Sequence, residues 1–322
     1  MSAWSHLSPA DALRRARTLD ALAGADGVIC GAAADHRDAL RAVLERRGLE
    51  LGDDDVGALK ARVTAALAPA ATLILLDVEL GAPAAIAAGA LPGTTALVVP
   101  LEEGGYGDVA RLAETTLLPG WSPHAARAAG AAACKLLLPY RSDLAEQAAR
   151  QEAVVARCAA ACRQAGTVLV LEPIVYRREG EELDADRFAA LVVDGARRLA
   201  AHDPGLLKLQ YPGTPEACQV LDSACGPGTP WVLLGGGAGE QELVAQLRDA
   251  CAAGASGFIV GRTLWADALV PDPDGQEAAL AEHARPRLER LAAIAREAAT
   301  PWRDRVGPIA APGRDPYGAT VG

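Results

Sequence analysis

The chain has 322 residues, a net charge of −10, and 51% hydrophobic and 22% charged residues. This composition is typical of a globular protein with a sizeable core, and the acidic balance argues against nucleic acid or an anionic membrane as the main partner. The N-terminus lacks the basic and apolar regions of a signal peptide, and no segment approaches 18 uncharged apolar residues. We therefore expect a cytoplasmic protein without a membrane span.

Helical and strand-like segments alternate along the chain. A helix is predicted over residues 9–23, with Ser8 as its N-cap. Short apolar runs bounded by turn residues then predict eight strands, with helices between them. The strands cover residues 28–34, 72–77, 96–100, 134–138, 168–172, 206–209, 231–234 and 257–260. The clearest helices cover residues 38–47, 143–165, 184–201, 240–253 and 277–299, and the acidic run at 53–55 is typical of a further helix start.

Eight strands that alternate with helices predict an α/β protein with a single (β/α)8 barrel, also called a TIM barrel. We place the barrel domain, with an N-terminal helical extension and a C-terminal helix, at residues 1–305, and an irregular Pro/Gly-rich tail at 306–322. An open, doubly wound sheet is the alternative. No Gly-x-Gly-x-x-Gly follows the first strand to support a dinucleotide site.

Lysine is rare in this chain, and two of its three copies lie in predicted strands. Lys60, Lys135 and Lys208 stand beside 28 arginines. A buried ammonium is costly unless it is paired or loses its proton, and lysine, unlike arginine, can act as a nucleophile. We interpret Lys135 and Lys208 as functional amines. The alternative is that both ammonium groups simply reach solvent at strand ends.

In a barrel of this kind, side chains at the carboxyl ends of the strands line the active site. The candidates at these positions are Asp35, Arg37, Asp77, Lys135, Glu172, Lys208 and Arg262, with Glu102 and Tyr106 in the loop after the third strand. Glu172 lies 37 residues after Lys135 and 36 residues before Lys208, one βα unit each way, so the three should share one mouth.

This trio suits amine-based carbonyl chemistry. One amine would attack a carbonyl to form an iminium, the second cation would help to keep that amine neutral, and the carboxylate would transfer protons. An ordinary salt bridge is the alternative role for Glu172, and structural roles are the alternative for Asp35 and Asp77.

Glycine-rich segments follow the seventh and eighth strands. Gly235, Gly236 and Gly237 precede a helix, and Gly261 and Arg262 follow the eighth strand. Loops after these two strands commonly bind phosphate, because backbone N–H groups and a helix N-terminus face the anion there. A guanidinium group adds a fork suited to an oxyanion. We therefore predict a phosphate site.

The sequence offers no convincing metal or cofactor site. The five histidines are dispersed, and the seven cysteines lie in Ala-rich helices or Val/Leu-rich strands. We expect buried thiols rather than disulfides or a zinc site.

A set of short motifs resembles the class I aldolases of the tagatose 1,6-bisphosphate aldolase family, which includes the sulfofructosephosphate aldolases. The motifs are Ala34-Asp35-His36-Arg37, Leu75-Leu76-Asp77, Gly105-Tyr106, Lys135-Leu136-Leu137-Leu138, Leu171-Glu172-Pro173, Leu207-Lys208-Leu209, Leu234-Gly235-Gly236-Gly237 and Gly261-Arg262-Thr263-Leu264-Trp265. They run in the order of the family from about residue 26 to 266, about three quarters of the chain. The set is far more specific than any one motif.

The resemblance assigns roles to these residues. Lys208 corresponds to the Schiff-base lysine, Lys135 to the second lysine, and Glu172 to the acid/base carboxylate. Asp35 falls at the acidic residue that ends the first strand, and Arg262 and the 235–237 loop fall at the phosphate-binding positions. Arg141, with Ser142 and Asp143, looks more like the sulfofructosephosphate branch.

Three positions depart from the family pattern. Gln210 stands where the family usually carries glutamate, Gly235 replaces a common serine, and His36 stands where glutamine is frequent. These differences bear on the substrate more than on the mechanism, because both lysines and Glu172 are present.

The resemblance thus implies a metal-independent class I aldolase, homo-oligomeric and without a cofactor. It would cleave a ketose 1-phosphate or 1,6-bisphosphate, of the tagatose bisphosphate or sulfofructose phosphate type, to dihydroxyacetone phosphate and an aldehyde. We expect Arg37, Asp77, Arg141 and Gln210 to contact the substrate besides the glycines and Arg262. The alternatives are a sugar-phosphate isomerase or epimerase that uses Glu172 and Asp35 without a covalent step, and a catalytically silent relative that binds a sugar phosphate.

Overall fold

Eight parallel strands close into one barrel in the computed structural model, which describes residues 3–104 and 115–309. Each strand pairs with the next one in sequence, and the first also pairs with the eighth. The strands are β1 (Ile29–Ala33), β2 (Leu73–Leu75), β3 (Ala96–Pro100), β4 (Ala133–Pro139), β5 (Val168–Ile174), β6 (Leu206–Leu209), β7 (Trp231–Leu234) and β8 (Gly257–Val260). The predicted TIM barrel is confirmed, and the alternative open sheet is wrong.

Helices surround this barrel. They are α1 (Pro9–Leu22), α2 (Asp38–Arg46), α3 (Asp53–Leu67), α4 (Gly81–Ala87), α5 (Pro123–Ala128), α6 (Ala145–Gln164), α7 (Ala185–Ala200), α8 (Pro215–Cys225), α9 (Glu240–Ala253), α10 (Arg262–Trp265), α11 (Pro273–Ala279), α12 (Arg285–Ala298) and α13 (Trp302–Val306). Ser8 caps α1, as predicted, because its side chain accepts a hydrogen bond from the Asp11 backbone N–H. None of the described helices combines the length and apolar character needed to cross a bilayer.

Alternate strand residues point into the barrel and form its inner core. This inner cluster includes Ile29, Ala33, Leu73, Leu75, Val98, Ala133, Val168, Val170, Leu206, Val232 and Ile259. The residues between them, such as Cys134 and Leu207, pack with the helices in an outer cluster. Because side chains alternate along a strand, each inward row continues toward the carboxyl end of the barrel.

Helix α1 and the C-terminal segment close the amino end of the barrel. Leu19 and Leu22 of α1 join the inner cluster, and Trp4 stacks on Trp302 with 5.9 Å between ring centroids. Arg15 donates hydrogen bonds to Asp203 and to the backbone carbonyl of Pro204, just before β6. This end of the barrel therefore contributes stability, and the opposite end is left for a site.

The predicted final helix at residues 277–299 is wrong in its start and in its continuity. Helix α11 begins at Pro273, and one π-helical turn, Leu280–Ala284, separates it from α12. Pro286 has no N–H to donate to the Glu282 carbonyl, so a regular α-helix cannot run through this point.

The packed chain continues to the predicted start of the tail. Val306 is buried in α13, and its carbonyl accepts a hydrogen bond from the Ala3 backbone N–H. Residues 310–322 of the tail, and Gly105 and Tyr106 after β3, lie outside the described residues.

All seven cysteines are free and buried, as predicted. Burial raises the pKa of Cys30 and of Cys225 to about 12. Thiols of this kind stay protonated and unreactive near neutral pH.

Gly257 at the start of β8 generates a stability prediction. It has a φ of +129°, and a Cβ at this position would overlap the backbone carbonyl of Ile29 in β1. We expect Gly257→Ala to lower the free energy of unfolding by roughly 3 kcal/mol or more, measured by urea denaturation.

Gly213→Ala is the matched control, because Gly213 has a φ of +114° and no atom within 4 Å of an added Cβ. It should cost only about 1–2 kcal/mol. Equal losses of unfolding free energy in the two variants would show that the close approach of β1 to β8 adds nothing to the destabilisation.

Candidate active site

Polar side chains extend the inward rows at the carboxyl end of the barrel. Lys135 follows Ala133 in β4, Glu172 follows Val170 in β5, and Lys208 follows Leu206 in β6. Asp35 lies two residues beyond Ala33, the last residue of β1. The structure therefore brings all four predicted catalytic residues to one mouth, because they continue rows that are apolar further down.

The Glu172 carboxylate lies between the two lysine ammonium groups. Its Oε1 is 2.7 Å from Lys208 Nζ, and its Oε2 is 3.3 Å from Lys135 Nζ. Burial alone would raise the pKa of Glu172, but the charges of Lys208 and Lys135 outweigh it and lower that pKa. Glu172 is thus an ionised carboxylate within proton-transfer distance of Lys208.

Lys135 is surrounded by carboxylates. Its Nζ donates to Glu102 Oε1 at 2.6 Å and to Asp35 Oδ2 at 3.1 Å, in addition to the Glu172 contact. Burial acts to lower the pKa of Lys135, but these three carboxylates together raise it well above its ordinary value. Three carboxylates therefore compensate the charge of Lys135. Its expected effect on Lys208 stays a prediction.

Glu102 is the site residue that we named only as part of a loop. It is buried, its Oε2 has no hydrogen-bond partner among the described residues, and burial raises its pKa although the charge of Lys135 acts in the opposite direction. For Asp35, burial is outweighed by the charge of Lys135, and its pKa lies well below the ordinary value. Glu102 continues the alternate positions 98 and 100 of β3, which point into the barrel. This alternation could have identified Glu102 from the sequence.

Two cavities meet at Lys208. The acidic cavity, about 90 Å³ in volume, is lined by Asp35, Arg37, Glu102 and Lys135. The glycine-loop cavity, about 250 Å³ in volume, is lined by Gln210, Gly235, Gly236, Gly237, Gly261 and Arg262. His36, Leu137, Glu172 and Lys208 line both. Within the described ranges, no group of three or more His, Cys, Asp or Glu side chains is arranged to hold a metal ion.

The glycine loop is shaped by its backbone. Gly236 and Gly237 have φ values of +55° and +84°, in the left-handed region that favours glycine. Thr263 Oγ1 donates a hydrogen bond of 2.9 Å to the Ala238 carbonyl and so ties the loop after β8 to the loop after β7. Helix α9 begins at Glu240, directly after this loop, and its N-terminus favours an anion nearby.

His36 lies where the two cavities meet. Its ring packs edge-on against Trp265 with 5.7 Å between centroids, and a Cβ at position 261 would overlap it, so Gly261 is required by the close packing. Burial, together with the charges of Arg262 and Lys208, lowers the pKa of His36 to about 4. His36 is therefore neutral near pH 7 and adds no charge to either cavity.

Gln210 bridges the ends of β5 and β6. Its Oε1 accepts a hydrogen bond from the Val175 backbone N–H at 2.7 Å, and its Nε2 donates to the Val175 carbonyl at 3.4 Å. An amide can satisfy both groups of one residue, whereas a carboxylate can only accept. This contact explains why glutamine fits here although the resembling aldolases usually carry glutamate.

Asp77 was predicted to contact the substrate, and the structure places it in a structural role instead. It is fully buried, pairs with Lys60 of α3, and accepts hydrogen bonds from the backbone N–H groups of Leu80 and Gly81 at the start of α4. Asp77 lies two residues beyond Leu75, the last residue of β2, just as Asp35 lies two residues beyond β1, but the Asp77 carboxylate is held by these contacts. Asp77 lines neither the acidic nor the glycine-loop cavity.

Arg141 was also predicted to contact the substrate, and its five N–H donors are used within the protein. Asp143 and Glu181 each accept two hydrogen bonds from it, and the Tyr176 carbonyl accepts a fifth. The side chain is buried and ties the loop after β4 to the loop after β5. It is therefore a positioning residue for these loops.

The Gln210 contact generates a second prediction. We expect Gln210→Glu to lower the free energy of unfolding by about 1–3 kcal/mol at pH 7, because a carboxylate oxygen would face the Val175 carbonyl without a proton between them. The difference from the wild-type protein should shrink at pH 4, where the glutamate is partly protonated and can donate again. An unchanged stability at both pH values would contradict this role of the amide.

The sequence is similar to aldolases over most of its length. Residues 31–267 match the family model described as DeoC/LacD family aldolase. Tagatose 1,6-diphosphate aldolase 2 of Enterococcus faecalis is 25% identical over 318 aligned residues, which cover 89% of this chain and 95% of that protein. Tagatose 1,6-diphosphate aldolase 1 of Streptococcus pyogenes serotype M3 is 27% identical and covers 87% of this chain and 95% of that protein.

Comparisons of the structure agree on the fold. A fructose-bisphosphate aldolase from Plasmodium falciparum superposes with a TM-score of 0.69 at 18% identity, covering 90% of this chain and 96% of that chain. A Schiff-base-forming fructose-1,6-bisphosphate aldolase superposes with a TM-score of 0.60 at 18% identity, covering 87% and 99%. The family model spans the barrel from β1 to the end of α10, and the chain belongs to the DeoC/LacD family of aldolases.

Proposed function

We propose that this class I aldolase cleaves a ketose 1-phosphate or 1,6-bisphosphate, of the tagatose bisphosphate or sulfofructose phosphate type, to dihydroxyacetone phosphate and an aldehyde. One observation carries the proposal: Lys208 points into the barrel mouth 2.7 Å from the Glu172 carboxylate and lines the glycine-loop cavity. The family relatives that act on tagatose 1,6-diphosphate support the substrate type.

The first step is attack by the Lys208 amine. In the resting protein Lys208 and Glu172 form an ion pair, so the Lys208 ammonium must first pass a proton to the Glu172 carboxylate. The free amine then adds to the ketose carbonyl, and the resulting carbinolamine loses water to give the iminium. Glu172 returns its proton to the departing hydroxyl, which balances the step.

The second step breaks the carbon–carbon bond. A carboxylate of the cluster, Glu172 with Asp35 beside it, removes the proton of the substrate hydroxyl two carbons from the iminium carbon. The bond between this hydroxyl-bearing carbon and the carbon next to the iminium then breaks. The hydroxyl-bearing carbon leaves as the aldehyde, and the electron pair of the broken bond moves toward the iminium to form an enamine. Return of a proton to the enamine carbon and hydrolysis of the iminium then release dihydroxyacetone phosphate and restore Lys208.

Lys135 serves this chemistry by holding the carboxylates in place. It contacts Asp35, Glu102 and Glu172 at the same time, so it fixes their positions and keeps Asp35 and Glu172 ionised. The residue acts as a permanent cation and Lys208 as the nucleophile.

The phosphate next to the carbonyl would bind in the glycine-loop cavity. Arg262 and the loop of Gly235, Gly236 and Gly237 line it beside Lys208, and the N-terminus of α9 follows. We further propose that the reaction needs no metal, since the protonated imine accepts the electron pair in the cleavage step. A homo-oligomeric state and a cytoplasmic location stay part of the proposal.

Covalent trapping tests the proposal. Borohydride added with dihydroxyacetone phosphate reduces the iminium and fixes the ligand on the nucleophilic lysine. Because the chain has only three lysines, peptide mass mapping can assign the adduct to Lys60, Lys135 or Lys208. We expect one adduct, on Lys208, and a loss of cleavage activity of roughly 10³-fold or more in Lys208→Ala.

Lys60 is an internal control, because it is buried in its pair with Asp77 and should stay unmodified. An adduct in Lys208→Ala equal to that of the wild type would contradict the assignment of the nucleophile. Sugar-phosphate turnover that persists in Lys208→Ala, with no adduct on the wild-type protein, would instead favour an isomerase or epimerase that uses the carboxylates alone.

A further inference from the structure

The two cavities that meet at Lys208 differ in charge. In the glycine-loop cavity, Arg262 makes no ion pair with a described residue and is available to an anion. In the acidic cavity, Lys135 contacts three carboxylates and Lys208 contacts one. Among the described residues that line this cavity, Arg37 is the remaining cation that a second anion of the substrate could use.

Arg37 is already occupied. Its Nη1 donates to Glu79 Oε2 at 2.9 Å, and its Nη2 donates to the backbone carbonyl of Glu102 at 2.9 Å. The Arg37 side chain is 14% exposed, whereas the side chain of its partner Glu79 is 52% exposed. The chain thus supplies its own carboxylate at the position where a distal phosphate would meet a guanidinium.

We infer that the substrate carries one phosphate, on the carbonyl side, and an uncharged chain of hydroxyl groups on the distal side, with Glu79 as the residue that disfavours a second phosphate. The inference rests on the aldolase activity proposed above and narrows its substrate from the two classes to the ketose 1-phosphate.

Like-charge repulsion would act on a second phosphate of the substrate. A phosphate dianion in the acidic cavity would have to displace Glu79 from Arg37 and would then face the carboxylates of Asp35 and Glu102. Hydroxyl groups, by contrast, can donate hydrogen bonds to those same carboxylates. The acidic cavity therefore suits a polyol, and the glycine-loop cavity suits the single anion.

The aldol reaction can be run in the direction of synthesis to test the effect of the distal charge alone, because only the aldehyde then differs between the two assays. Dihydroxyacetone phosphate is supplied with either D-glyceraldehyde or D-glyceraldehyde 3-phosphate, and kcat/KM is measured for each aldehyde. Glu79→Ala frees Arg37. Asp53→Ala is the matched control, because Asp53 is an exposed carboxylate on the same surface cavity that pairs with Arg41 instead.

We expect the wild-type protein to prefer glyceraldehyde. Glu79→Ala should raise the kcat/KM ratio of the phosphorylated to the unphosphorylated aldehyde about three- to tenfold, and Asp53→Ala should leave it within about twofold. A wild-type preference for glyceraldehyde 3-phosphate, or a ratio unchanged in Glu79→Ala, would overturn the inference. No aldol product with either aldehyde and no borohydride adduct would overturn the aldolase proposal itself, and this inference with it.

Discussion

One carboxylate shared between two lysines governs the arrangement of the site. Glu172 contacts Lys208 and Lys135 from the strand between them, and Lys135 in turn holds Asp35 and Glu102. In a buried setting such charges are tolerated only as a connected set, since the removal of one partner leaves another charge unpaired. The same network gives Lys208 a base within 2.7 Å, so the interaction that makes the buried charges tolerable also provides the route for the first proton.

The barrel makes this network possible because its two ends have different roles. At the amino end, Trp4 and Trp302 and the apolar face of α1 close the interior, and the lower inward rows are apolar side chains of β1 to β8. At the carboxyl end, the same rows continue as charged residues. The apolar layer below excludes water from one side of the cluster, which strengthens its electrostatic interactions. The apolar residues that stabilise the barrel and the charged residues of the site thus occupy successive positions of the same strands.

The sequence alone predicts the barrel and the catalytic cluster because both depend on strand alternation and on the spacing of the βα units, which Lys135, Glu172 and Lys208 follow. It does not predict the roles of Asp77 and Arg141, because their partners come from distant segments: Lys60 in α3 holds Asp77, and Glu181 after β5 holds Arg141. The ion pair between Arg37 and Glu79 likewise joins residues from separate loops. The local sequence pattern identifies which residues point inward. Only the tertiary structure shows which of them already bind other side chains of the protein.

The rate of iminium formation in Glu172→Gln tests most directly whether the shared carboxylate takes the proton from Lys208. Mixing with dihydroxyacetone phosphate, followed by a rapid borohydride quench at set times, measures how fast the Lys208 adduct forms. We expect iminium formation to slow by about 10²–10⁴-fold, since an amide cannot accept the proton that the Lys208 ammonium must lose. Adduct formation at the wild-type rate, with only the later cleavage slowed, would contradict this role of Glu172.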